Sequence, residues 1–137
     1  MSRENVEIVR EAYAAFNRGG AEALIGTYWA DDFVLDMTAS GFPAGPGVYR
    51  GPDEAKAFFD EWFSVFPFDD WYAEVEQLLD HGDQVIAFIR QRGRGSASAT
   101  PTDMEMTQIC TLRAGKVLRL QVYLDREEAL EAAGLSE

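Results

Sequence analysis

Residues 104–125, MEMTQICTLRAGKVLRLQVYLD, place two β-rich runs on either side of Arg113-Ala114-Gly115, the pattern of a β-hairpin. Two registers are open. A two-residue Ala114-Gly115 turn pairs Leu112 with Val117 and sets Met104, Met106, Cys110 and Leu112 beside Arg119, Gln121 and Tyr123. A three-residue loop with Gly115 in the left-handed conformation instead pairs Cys110 with Leu118, Gln108 with Leu120 and Met106 with Val122. Side chains alternate along a strand, so a slip of one residue reverses every facing. The second register makes one face almost wholly apolar and is the one expected. It leaves Gln108 as the single strongly polar side chain on that face, and a buried amide needs a partner, supplied by a neighbour or by a ligand.

Upstream, residues 84–92 are apolar on both faces through Val85-Ile86-Ala87-Phe88-Ile89, which predicts a strand central in its sheet. Residues 71–79 alternate, with Ala73 and Val75 opposed by Glu74 and Glu76, and turn through Asp80-His81-Gly82-Asp83. Gly93 to Pro101 is a flexible connection into the hairpin. The strongest helix comes earlier. Pro52, Asp53 and Glu54 suit its first turn, and Ala55, Phe58, Phe59, Trp62, Phe63 and Phe66 follow at helical spacing until Pro67 ends it.

Residues 39–50 are too dense in Gly, Pro and Ser for helix or strand and read as a loop at a rim. Before them, Phe33 to Thr38 reads as a strand with Val34, Asp36 and Thr38 on one face and Phe33, Leu35 and Met37 on the other. Asp36 is thus a carboxylate inside a strand, facing solvent or turned inward. At the start, Val6, Val9, Tyr13 and Phe16 predict a helix ended by Asn17-Arg18-Gly19-Gly20, and residues 21–29 predict a short second helix carrying Leu24, Ile25 and Tyr28. After the hairpin, Asp125 and Glu128 have capping-box spacing ahead of a short helix closed by Gly134.

With 137 residues the chain is expected to form one domain, 1–137, large enough to bury a core without staples. Its single Cys110 forms no internal disulfide and suits an inert core thiol. Twelve basic against 24 acidic residues give a net charge of −12, which repels phosphate backbones and anionic lipid, leaving only the Arg90, Arg92, Arg94 cluster as a local exception. No nucleic-acid or membrane partner is expected. No run approaches the roughly 18 apolar residues of a membrane span, so the chain reads as soluble and cytoplasmic. One histidine, His81, sits in a turn, and neither a His-dependent nucleophile nor a zinc site is supported.

The order of elements is an α+β plan, and the chain resembles the SnoaL-like branch of the NTF2-like superfamily. The resemblance runs through EIVREAYAAFNRGGAEALIGTYWADDFVLD, YRGPDEAKAFFDEWF and TLRAGKVLRLQVYLDREEALEAAGL. It implies a cone-shaped barrel, a curved antiparallel sheet wrapped around a long helix with two further N-terminal helices. That superfamily includes ketosteroid isomerases, polyketide cyclases, limonene epoxide hydrolases and many non-enzymes.

Carried over residue by residue, the isomerase pattern puts its oxyanion-donating tyrosine at Tyr13 and its proton-shuttling carboxylate at Asp36, and its second donor falls on Gln108. The epoxide hydrolase pattern is not met, because Arg90 is followed two residues later by Arg92. The resemblance implies a pocket for a small hydrophobic molecule, lined by Phe16, Tyr28, Tyr49, Phe58, Trp62, Phe88, Met106, Leu120 and Leu124, with Asp125 either in the pocket or capping the last helix. No cofactor or metal is implied. The expected alternatives are an isomerase- or cyclase-like acid/base enzyme, with Asp36 as a base of raised pKa, and a non-catalytic binding or accessory domain. A homodimer is expected through the outer sheet face, which in the favoured register carries Thr107, Ile109, Thr111, Arg119, Gln121 and Tyr123.

Overall fold

The computed structural model describes residues 2–40, 47–65, 71–94 and 101–135. Phe66, Pro67, the middle of the Gly/Pro-rich segment and most of the 93–101 connection lie outside the described residues. Helix α1 (Ser2–Gly19) leads through one 3-10 turn (Gly20–Ala23) into β1 (Trp29–Asp36) and β2 (Val48–Arg50). Helix α2 (Gly51–Val65), strands β3 (Tyr72–His81), β4 (Gln84–Arg94), β5 (Pro101–Arg113) and β6 (Lys116–Tyr123), and helix α3 (Arg126–Ala132) follow.

The six strands form one sheet in the order β2-β1-β6-β5-β4-β3. Its pairs are antiparallel except β1 with β6, which run parallel, so the expected all-antiparallel sheet is corrected to a mixed one. Helices α1 and α2 cover one face of the curved sheet and α3 part of the other. The expected second helix is reduced to the 3-10 turn. Gly26, at φ +81°, takes the chain out of helical geometry, and Trp29 is already in a strand. The loop expected over residues 39–50 contains strand β2, whose three residues pair with β1 and carry too little pattern to stand out among glycines and prolines.

The hairpin corrects the expected register and keeps its facing. Ala114 and Gly115 have φ of 53° and 80°, the two-residue turn with two left-handed residues, and Leu112 pairs with Val117. Leu118 is then an extra residue on β6, so the next pairs are Thr111 with Arg119, Cys110 with Leu120 and Gln108 with Val122. The bulge restores the parity that the turn alone would have reversed. Met106, Gln108, Cys110, Leu120 and Val122 therefore still share the inner face. An alanine at positive φ is strained, and Ala114→Asn is expected to raise stability by about 0.5–1 kcal/mol, because asparagine tolerates this conformation. Urea unfolding with an unchanged slope checks it, and a loss would show that the turn relaxes differently.

Strand β4 lies inside the sheet, and Val85 to Ile89 are buried on both faces. Val85, Ala87 and Ile89 enter the main core under the helices, while Ile86 and Phe88 join Ile109 and Tyr123 beneath Ala129, Leu130 and Ala133 on the α3 side. Two residues expected on an open dimer face, Ile109 and Tyr123, are thus covered by the chain itself. His81 bonds the carbonyl of Ala133 at 2.8 Å and ties the end of α3 to the β3–β4 turn. The expected basic cluster is neutralised where it is described: Arg90 pairs with Glu76, Asp103 and Glu105, and Arg92 with Glu74.

Asn17 at the end of α1 treats the edge strand β3 as a neighbouring strand would. Its Nδ2 donates to the Ala73 carbonyl and its Oδ1 accepts from the Ala73 amide, both at 2.8 Å. That pairing closes part of an exposed strand edge and fixes α1 over the sheet. Among the described residues no helix is long and apolar enough to cross a membrane.

Candidate functional site

Under the helices the sheet's inner face is mostly aromatic and aliphatic. Phe16 packs edge-on to Phe59 and Trp71 at centroid distances of 5.1 and 5.3 Å, and Trp29 stacks on Phe33 at 4.2 Å. This packing leaves a cavity of about 70 Å³ lined by Val9, Ala12, Tyr13, Phe16, Leu24, Trp29, Phe59, Trp71, Ala73, Gln91, Gln108, Cys110, Val117 and Leu120. A second lobe of about 30 Å³ lies beyond it, lined by Leu35, Met37, Phe58, Phe59, Trp62, Gln91, Met106, Gln108, Leu120 and Val122. Phe59, Gln91, Gln108 and Leu120 belong to both walls.

Polar groups form a seam through this apolar space. The Tyr13 hydroxyl, reaching in from α1, donates a hydrogen bond to Gln108 Oε1 on β5 and lies 3.9 Å from Cys110 Sγ. Gln108 Nε2 donates to Met106 Sδ at 3.2 Å. The buried amide is therefore satisfied by neighbours. Gln91 Oε1, on β4, is buried without a hydrogen-bond partner. Burial, with the Cys110 sulfur adding to it, holds the Tyr13 phenol well above its ordinary range, and burial pushes the Cys110 thiol up to about 12. Both groups are neutral at physiological pH and act as hydrogen-bonding groups.

Tyr13 and Gln108 meet as expected, and Asp36 does not join them. Phe33, Leu35 and Met37 take the inner face of β1, so Asp36 turns to the other side of the sheet. There it accepts from Arg119 Nη2 at 2.8 Å and from the Thr38 amide and hydroxyl at 3.0 and 2.6 Å. Partial burial pulls its pKa up, but the Thr38 and Arg119 bonds outweigh that and hold the carboxyl below its usual range. The expected base of raised pKa is thereby corrected to an anchored, ionised carboxylate.

Of the other expected lining residues, Phe16 and Leu120 border the main cavity, and Phe58, Trp62, Met106 and again Leu120 the second lobe. Tyr49 packs on Phe58 at 5.0 Å, and Tyr28 packs against the core without bordering either space. Phe88 and Leu124 do not reach the pocket, Phe88 by the parity of β4 and Leu124 because β6 ends at Tyr123, while Asp125 takes the capping alternative. Phe88 points to the α3 side, where Arg126 sits 3.9 Å over its ring, and Leu124 is 43% exposed beside it. Asp125 caps α3, accepting from the Glu127 and Glu128 amides at 2.9 and 3.3 Å. Asp125→Ala is expected to cost about 1 kcal/mol in urea unfolding through loss of the cap. A change in ligand affinity without a stability loss would return Asp125 to the pocket.

Sequence reasoning missed Gln91, Trp29, Trp71 and Phe59 as lining residues. Gln91 had a signal, since Val85, Ala87, Ile89 and Gln91 continue one alternating face. Among the described residues no cluster of His, Cys, Asp and Glu could hold a metal ion.

A curved sheet capped by two helices over an apolar interior defines an NTF2-like α+β fold. The chain belongs to the SnoaL-like domain family, whose pattern matches residues 9–120. No curated protein matches it by sequence. Among solved structures it is similar to an NTF2-like protein of unknown function from Burkholderia pseudomallei, with 18% identity and a TM-score of 0.76 over 93% of this chain and 95% of that one. It is also similar to a protein of ketosteroid isomerase-like fold from Catenulispora acidiphila, solved with trimethylamine, at 20% identity and TM-score 0.72 over 94% and 93%. TerC, co-crystallised with polyporic acid, gives 20% identity and TM-score 0.74 over 96% and 98%. At these identities the likeness speaks for the fold.

Proposed function

We propose that the protein binds a compact, largely apolar small molecule in the cavity between α1, α2 and the sheet, holding it by packing and by hydrogen bonds from the Tyr13–Gln108–Gln91 seam. The observation that carries this reading is the character of that seam: uncharged hydrogen-bonding groups set in an aromatic wall, the usual make-up of a small-molecule site. Tyr13 and Gln108 are the proposed ligand-orienting residues, together with Phe16, Phe58, Trp62, Met106 and Leu120 as packing surface. Asp36 has no part in it, because its carboxylate is held by Arg119 and Thr38 across the sheet.

The size of the occupant follows from the volumes. An apolar cavity of about 150 Å³ takes a benzene ring, and the two lobes here, about 70 and 30 Å³, share a wall that includes the Phe59 ring. Rotation of that ring would join them into one space of about 100 Å³, so a single-ring molecule also needs the surrounding side chains to move outward. A calorimetric titration with phenol tests the reading on wild type and on Asp36→Asn. Both are expected to bind with dissociation constants within twofold of each other, and the substitution to cost about 1–3 kcal/mol in stability, since it weakens the charge-assisted bond from Arg119 to a largely buried side chain. Loss of binding in Asp36→Asn with the fold intact would overturn it.

A homodimer remains part of the proposal, now placed on the part of the outer face that α3 leaves open, around Val34, Arg119 and Gln121. Sedimentation at micromolar concentration is expected to give twice the chain mass, and a mass near 15.3 kDa would contradict it. A cytoplasmic setting is proposed on the acidic composition.

A further inference from the structure

We propose, building on the binding reading above, that Gln91 selects the ligand, and that this ligand is an uncharged molecule bearing a hydrogen-bond donor, such as an alcohol, phenol or enol, on an apolar body. The polarity of the seam carries the point. The Tyr13 hydroxyl is spent on Gln108 Oε1, and one N–H of Gln108 Nε2 is spent on Met106 Sδ. Gln91 Oε1 is buried and unmatched, and its side chain borders both lobes. Buried acceptors are almost always paired, so an orphan beside an open space marks where a donor belongs.

A group that supplies only lone pairs would face the Gln91 oxygen with repulsion. A carboxylate would in addition find no cationic side chain among the described lining residues, inside a chain of net charge −12. This arrangement is the reverse of an oxyanion site, where uncommitted donors converge on one position. Here the buried side-chain atom left without a partner among the described residues is an acceptor. The Gln91 side chain borders both lobes, and turning its amide would present the oxygen to either.

Three single-ring probes separate the possibilities: phenol, which donates; toluene, which does neither; and benzaldehyde, which only accepts. A purely apolar cavity prefers toluene to phenol, because the phenol hydroxyl leaves water without compensation. Gln91 is expected to invert that order, giving phenol about a fivefold advantage over toluene and benzaldehyde at pH 7, the size of one net hydrogen bond. In Gln91→Met and Gln91→Leu the advantage is expected to vanish through weaker phenol binding, with toluene unchanged within twofold. Both variants are expected to melt at or above the wild-type temperature, since they remove the orphan acceptor. Toluene or benzaldehyde binding wild type as tightly as phenol would overturn the assignment, as would a phenol preference that survives in both variants. If none of the three binds, the binding reading itself falls and this inference with it. Binding of all three without preference overturns the role of Gln91 alone.

Discussion

Between about pH 9 and pH 12 the protein is expected to lose stability on the order of 4 kcal/mol through Cys110 alone. Burial raises this thiol from an ordinary value of 9.0 to about 12 in the folded chain, against a small offset from Tyr13. A group whose folded pKa lies above its unfolded one contributes stability that is fully present below the unfolded value and is lost as pH rises through the folded value. Three units at about 1.4 kcal/mol each give the figure. Tyr13 acts in the same direction at higher pH, because its phenol is also held above the ordinary range. Urea unfolding at pH 8 and pH 11 spans about two of these three units and is expected to show a loss of about 2.5–3 kcal/mol. Cys110→Ala is expected to remove most of the difference, and equal pH dependence in variant and wild type would show that the thiol is not desolvated.

Phe33→Ala is expected to cost about 3–5 kcal/mol, the range for truncating a buried aromatic side chain. Phe33 is 0% exposed and stacks on Trp29 with an interplanar angle of 7°. Against a typical total of about 5–15 kcal/mol, such a loss leaves little margin. Trp29 also borders the main cavity, so its freed ring would change ligand affinity together with stability. A drop in urea midpoint at constant slope checks the first effect. A cost under about 1 kcal/mol would mean that the ring does not fill the core as described.

What was legible in the sequence follows from the range of the interactions involved. The α1 and α2 stripes, the two-sided burial of β4 and the cap at Asp125 are local patterns, and residue spacing reports them directly. The inner facing of Gln108 was legible too, but for an incomplete reason. The apolar face demanded it, while the turn adopted the register that alone would have reversed it, and the bulge at Leu118 reconciled the two. Nothing in the identity of Leu118 announces a bulge. The parallel pairing of β1 with β6 joins residues 85 to 88 positions apart, and no local pattern encodes it.

Asp36 is the instructive miss. Its alternation with Phe33, Leu35 and Met37 already placed it opposite three large apolar side chains, so the strand itself pointed outward. Resemblance to the isomerases pulled it inward. The missing term was Arg119, whose guanidinium meets the carboxylate only after β1 and β6 pair. Gln91 was passed over for the opposite reason, because the apolar run seemed complete at Ile89 while the alternation continued one step further.

The most direct measurement is the map of chemical-shift changes when phenol is added to isotope-labelled protein. The largest changes are expected at the side-chain amides of Gln91 and Gln108 and at the Trp29 and Trp71 indoles, which border the main cavity or its dividing wall. Changes centred on Asp36, Thr38 and Arg119, or no saturable change at all, would contradict the account.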